Sequence, residues 1–92
     1  MKRKHIYIGL RQTGRLRGKV TKDDGIPLEG SAEVRGGQVS TFLSDNQGRT
    51  VWRKSFHPQD GDNGGRYRYG EYEVSVRVDI RDQTVDIGII QK

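Results

Sequence analysis

Apolar and polar residues alternate without a break through Tyr72-Glu73-Val74-Ser75-Val76-Arg77-Val78-Asp79-Ile80. A period of two puts Tyr72, Val74, Val76, Val78 and Ile80 on one face and Glu73, Ser75, Arg77 and Asp79 on the other. This predicts a strand with one buried and one wet side, as in an antiparallel sheet over a core. Thr84–Ile89 repeats the pattern with Val85, Ile87 and Ile89 inward, and Arg81-Asp82-Gln83 suits a short hairpin connection. Nowhere do apolar residues recur at helical spacing over a helix-length window. The same reading gives strands at His5–Leu10, with Ile6, Ile8 and Leu10 inward, and at Leu16–Val20, Ser31–Arg35, Val39–Leu43 and Thr50–Phe56. Thr13-Gly14, Asp24-Gly25, Gly36-Gly37, Asn46-Gln47-Gly48 and the polar stretch Pro58–Gly65 punctuate them.

About seven short strands in 92 residues predict an all-β chain, an immunoglobulin-like antiparallel β-sandwich, with a small SH3-like or OB-type barrel as the alternative. The length is that of one domain, residues 1–92. Its hydrophobic share of 30% makes the core thin. There is no cysteine, which excludes disulfide support, thiol catalysis and Cys-ligated zinc. No apolar run is long enough to span a bilayer or to form the core of a secretory signal. The expectation is therefore a protein made in the cytoplasm.

Charge is unevenly placed. Residues 1–22 hold eight of the 17 basic side chains and no acidic one, while the rest carries all 12 acidic residues. Such a block reads as a docking arm for an acidic partner, or as a segment lying against the acidic remainder. The regular alternation of Ile6, Ile8 and Leu10 makes residues 1–10 a basic strand or arm, expected at a sheet edge and dispensable for folding. Arg15, Arg17 and Lys19 are expected to share the solvent face of one strand and to lie at a contact surface with a protein.

Chemistry is sparse. His5 and His57 have no second ligand at metal spacing, and no serine sits in a nucleophile elbow beside a base. Asp60-Gly61-Asp62-Asn63-Gly64 lacks the later ligands of a calcium-binding EF-hand loop, and the glycines at 64, 65 and 70 have no phosphate-loop context. No catalytic, cofactor or metal residues are expected, and the chain does not read as an enzyme. What stands out is Arg66-Tyr67-Arg68-Tyr69, which on a strand would present two guanidinium groups on one face and two rings on the other. Such surfaces grip single-stranded nucleic acid or protein. The more ordinary reading is that the rings cover the end of a thin core while the arginines are solvated.

Three landmarks in order carry a family resemblance. Leu16-Arg17-Gly18-Lys19-Val20 leads through Asp24-Gly25-Ile26-Pro27-Leu28-Glu29-Gly30 to Ser31-Ala32-Glu33-Val34. Ser44-Asp45-Asn46-Gln47-Gly48 follows, then Tyr69-Gly70-Glu71-Tyr72-Glu73-Val74-Ser75-Val76. Residues 16–78 thus resemble the carboxypeptidase regulatory-like domains, a prealbumin-like, immunoglobulin-like sandwich family. Gly25 and Pro27 suit a tight turn between two edge strands. Asp45 can accept from backbone amides two residues on, Gly48 can take a positive φ, and the Tyr72 hydroxyl can bond nearby backbone, as in a tyrosine corner. Two features depart from the family: the basic strand at residues 2–10 and the long polar loop 57–66, expected to be mobile.

The resemblance implies a non-catalytic structural or docking module of a larger assembly, self-association included; a bacteriophage capsid decoration or tail piece would be one example. Partner contacts are expected at Lys2, Arg3, Lys4, Arg15, Arg17, Lys19, Arg66, Tyr67, Arg68 and Tyr69, with protein ahead of nucleic acid as the partner. The alternatives are a basic nucleic-acid binder, and a carbohydrate- or surface-binding module using the long loop.

Overall fold

The computed structural model describes residues 1–10 and 25–92 in full; between them it describes the backbone of residues 14–17 and 19–23. Nine strand segments follow one another: β1 (Lys2–Gly9), β2 (Gly14–Arg17), β3 (Lys19–Asp23), β4 (Glu29–Arg35), β5 (Gln38–Ser44), β6 (Thr50–Phe56), β7 (Gly64–Tyr69), β8 (Tyr72–Asp79) and β9 (Thr84–Gln91). A 3₁₀ turn at Pro58–Asp60 is the one helical element among the described residues. The strands form two antiparallel sheets, β3-β1-β9-β8-β7 and β2-β4-β5-β6. This is the all-β, two-layered sandwich that the alternation predicts.

Chain neighbours pair in succession only through β4, β5 and β6 and through β7, β8 and β9, and β1 pairs with β9, so the first and last strands lie side by side. The strand expected at Leu16–Val20 divides instead. β2 pairs with β4 in one sheet and β3 with β1 in the other, although a single residue separates them. Chain continuity therefore bridges the sheets at this seam. At the opposite seam β6 and β7 are the outermost strands of their sheets and are not paired with each other.

The inward faces supply the core: Ile6, Ile8 and Leu10, then Ile26, Leu28, Ala32, Val39, Leu43 and Phe56, then Val74, Val76, Val78, Val85, Ile87 and Ile89. Burying each large aliphatic side chain contributes roughly 1.5–3 kcal/mol. Thr41, fully buried among them, donates its hydroxyl to the Lys54 carbonyl at 2.8 Å. Gly30 lets the sheets close up, since a Cβ there would stand 3.0 Å from Ile6 Cδ1 and 3.3 Å from Ile87 Cδ1.

Several expectations need correcting. β1 is not an edge strand: it lies between β3 and β9 and pairs with β9 from Lys2 to Gly9. Its basic residues suggested an exposed border, yet Ile6 and Ile8 of the strand and Leu10 just after it fill the core. Ile80 is 45% exposed because β8 ends at Asp79, and Tyr72 is only half-buried. The tyrosine-corner bond is replaced by ring stacking of Tyr72 on Tyr69, centroids 6.1 Å apart.

The loop 57–66 is shorter than expected. His57 O accepts from Asp60 N (2.9 Å) and Asp62 N (3.2 Å), and Pro58 O accepts from Gly61 N (3.0 Å). Asn63 O accepts from Val78 N at 2.7 Å, and β7 begins at Gly64.

The Asp45 turn forms as expected. Asp45 Oδ1 accepts from the amides of Gln47 and Arg49, both at 2.9 Å, and Gly48 takes φ +83°. Gly25, at φ +88°, opens a segment that crosses between the sheets and buries Ile26 and Leu28 on the way.

Two outcomes follow from this architecture. Removing residues 1–10 takes out a central strand with three core side chains, so the truncated chain loses cooperative thermal unfolding; a sharp calorimetric transition in it would contradict the placement of β1. Asp45 is held below its ordinary value of 3.8, chiefly by the Arg49 amide; desolvation opposes this, and the Gln47 amide and the Arg49 charge add to the lowering. A depressed carboxylate stabilises the fold above its unfolded value, and that stabilisation is lost as pH falls through the folded one. The stability difference between wild type and Asp45→Asn is therefore full at neutral pH and shrinks below about pH 4, as denaturant melts across pH will report.

Candidate docking surface

The outer face of the five-stranded sheet is built by strict alternation. On β1, Lys4, Ile6 and Ile8 turn inward, leaving Arg3, His5 and Tyr7 outward. On β8, Val74, Val76 and Val78 are inward, leaving Glu73, Ser75 and Arg77 outward. Register then lines the outward residues up in rows across four strands. Arg3, Ile90, Glu73 and Arg68 form one row; His5, Gly88, Ser75 and Arg66 form the next; Tyr7, Asp86 and Arg77 lie in the third. Arg3 and the Arg66–Arg68 pair, far apart in sequence, thus share one face.

The candidate residues divide accordingly. Lys2 and Arg3 are exposed, as are Arg66 and Arg68. Lys4 does not belong with them. It is 4% exposed, and its Nζ donates to the carbonyls of Ile26 (3.1 Å) and Leu28. Having the parity of Ile6 and Ile8, it points into the fold, where it ties β1 to the Gly25–Leu28 crossing; a buried amine must be satisfied in this way. The backbone places Arg15 and Arg17 on β2, opposite Glu33 and Ser31, and Lys19 on β3, opposite Tyr7. The three do not share one strand as expected, and their side chains lie outside the described residues.

Tyr67 and Tyr69 are half-buried and Arg66 and Arg68 exposed, so the rings and the guanidinium groups separate onto opposite faces of β7. Tyr67 closes the open seam. Its ring meets Trp52 at 5.8 Å and Phe56 at 6.2 Å between centroids, and Lys54 Nζ stands 5.3 Å from its centre. Burial, and next the Asp62 charge, raise its hydroxyl above the ordinary pKa of tyrosine. Gly65 makes room for that hydroxyl, since a Cβ there would lie 2.6 Å from it. Trp52 and Lys54 belong to this cluster, and sequence reading passed over both. The signal was the shared parity of Trp52, Lys54 and Phe56.

The electrostatics of the seam are one-sided. β6 and β7 carry Arg53, Lys54, Arg66 and Arg68 and no acidic side chain. Among the described residues Arg66, Arg68 and Arg77 form no ion pair; Asp86, in register with Arg77, accepts from His5 Nδ1 at 3.2 Å. Arg66, Arg77, Ser75 and Asn63 line a shallow hollow of about 420 Å³ floored by Gly64 and Gly65.

Among the described residues one serine lies near a histidine–carboxylate pair. Ser75 and the His5–Asp86 pair flank Gly88, but the serine hydroxyl is directed to the Gly88 carbonyl at 3.5 Å rather than to the imidazole. No cluster of three or more His, Asp or Glu side chains able to hold a metal occurs among the described residues. Leu10, Val34, Val39, Pro58 and Ile80 line an apolar hollow of about 220 Å³ at one end of the sandwich, below the usual size of a small-molecule pocket. No helix among the described residues is long and apolar enough to cross a membrane.

Comparison with protein-family models, curated proteins and solved structures finds no match. The likeness of residues 16–78 to the carboxypeptidase regulatory-like domains rests on the motifs themselves.

Gly64 fixes where β7 starts. Its φ is +146°, and a Cβ would fall 2.0 Å from the Val76 carbonyl oxygen. Gly64→Ala should cost about 2–4 kcal/mol through backbone strain and displacement of β8. Chemical denaturation measures it; a loss under half a kilocalorie would mean that β7 starts elsewhere.

Proposed function

We propose that this chain is a non-catalytic docking module that joins a larger assembly by engaging an acidic protein partner. The observation that carries the reading is the concentration of exposed guanidinium groups, those of Arg66, Arg68 and Arg77, that form no ion pair among the described residues and lie on and beside the seam between β6 and β7. Like charges kept together on a free surface do nothing for the stability of the isolated domain. A partner presenting carboxylates turns their repulsion into attraction and faster encounter.

Single-stranded nucleic acid is the second reading. One observation favours it: the rings of His5 and Tyr7 stack on the outer face at 5.9 Å, and Tyr7 is 46% exposed, beside Arg3. Against it, the tyrosines of β7 face inward and offer no stacking platform between the arginines.

Titration with polyglutamate and with oligothymidylate over a salt series tests the proposal. Polyglutamate should bind at low salt, weaken as salt rises, and weaken further in the Arg66→Gln/Arg68→Gln/Arg77→Gln variant. Failure to bind at low salt, or tighter binding of the oligonucleotide, would overturn it.

A further inference from the structure

We infer that the free edge of β7 takes up an acidic extended segment of a partner protein as an added strand; the inference rests on the docking reading above and gives it a mode and a partner chemistry.

The backbone argument comes first. Val78 N donates to Asn63 O, and the register of β7 with β8 runs unshifted from Gly64↔Arg77 to Tyr69↔Tyr72. In an antiparallel ladder, bonded and non-bonded pairs alternate. Continuing from Asn63, Gly65, Tyr67 and Tyr69 exchange hydrogen bonds with β8. The N–H and C=O groups of Arg66 and Arg68 therefore point to the free edge. The two-residue turn Gly70-Glu71 agrees, since Gly70 has φ +58° and Glu71 a negative φ, as in a type II′ hairpin closing on a bonded Tyr69–Tyr72 pair. The same two residues thus offer unpaired backbone groups to the edge and guanidinium groups to the outer face.

Charge selects the occupant. Side chains directly opposite on adjacent strands stand about 4.5–5.5 Å apart, and like charges there are destabilising. A second copy of β7 laid along this edge would set arginine against arginine, so self-pairing is disfavoured. Across the seam, β6 adds Arg53 and Lys54. A segment with Asp or Glu at alternate positions meets cations on both sides and completes the ladder with its own backbone. Six residues of β7 match an added strand about 20 Å long. Nucleic acid lacks the alternating amide donors and carbonyl acceptors that this edge would bond.

Trp52, the only tryptophan, is half-buried against Tyr67 and reports on the seam by fluorescence. The test uses the whole chain and four probes: an eight-residue peptide alternating Glu and Val, its counterpart with Lys for Glu, a Glu-matched peptide whose central valines are proline, and oligothymidylate. Proline removes the amide that an added strand must offer. The Glu–Val peptide should shift Trp52 emission, slow hydrogen exchange at the Arg66 and Arg68 amides, and bind at least about tenfold more tightly than the proline peptide. Arg66→Glu, at an exposed position opposite Ser75, should shift preference toward the Lys–Val peptide. Equal binding of the two acidic peptides without amide protection would overturn strand addition and leave the docking reading standing. Binding of neither, or tighter binding of oligothymidylate, would overturn both. Should Arg66→Glu not fold, amide protection in the wild type decides alone.

Discussion

The fold depends on the pairing of its first strand with its last. β1 and β9 are in register from Lys2↔Gln91 to Gly9↔Thr84, so the ends of the chain meet in the middle of the larger sheet. Such contacts are the most distant in sequence that the chain can make, and their loop-closure entropy must be met before they stabilise anything. What offsets that cost is packing: Ile6 and Ile8 of β1, with Leu10 just beyond it, share one core with Val85, Ile87 and Ile89. Lys4 extends the strand's reach by holding the carbonyls of the Gly25–Leu28 crossing. That crossing in turn buries Ile26 and Leu28 and delivers Gly30 to its close approach with Ile6 and Ile87. One strand thereby organises both sheets.

The two seams solve the problem of sheet edges differently. Where β2 runs into β3 the covalent chain joins the layers. Where β6 faces β7, side chains do the joining, through Trp52, Phe56, Lys54 and Tyr67. Aromatic contacts bring the strands together without satisfying the backbone groups along their borders. An exposed edge of this kind invites indiscriminate pairing unless charge restricts it. Cations on both bordering strands disfavour pairing with a copy of the same edge, and on the proposed docking reading the same charges favour an acidic one.

The strands, their inward faces and the Asp45 turn were legible because each rests on local alternation or local turn chemistry. Valines and isoleucines in strict alternation leave little room for another reading of β8 and β9. Position within a sheet is a tertiary matter, and there sequence misled. β1 looked like a border because of its lysines, although the parity of Lys4 with Ile6 and Ile8 marked that side chain as internal. β7 was partly hidden in an apparent loop: Gly64 and Gly65 read as loop residues, whereas they exist so that Val76 and the Tyr67 hydroxyl can come close. The one-residue division between β2 and β3 leaves no mark in alternation at all. Of the candidate site, the basic and aromatic residues of β7 were visible. Their meeting with Arg3 on one face and with β6 across a seam depended on register.

Period-two geometry lets β7 serve two purposes without compromise. Its tyrosines face inward and contribute to stability: Tyr67 plugs the seam and Tyr69 stacks on Tyr72. Its arginines face outward and form no ion pair among the described residues. On the proposed docking reading, substitution at Arg66 or Arg68 therefore changes recognition with little effect on folding, whereas substitution at Tyr67 loosens the packing of the seam itself. A strand whose two faces are coupled only through its backbone allows its surface chemistry to vary while the core stays fixed, which is what the proposed docking at this edge requires.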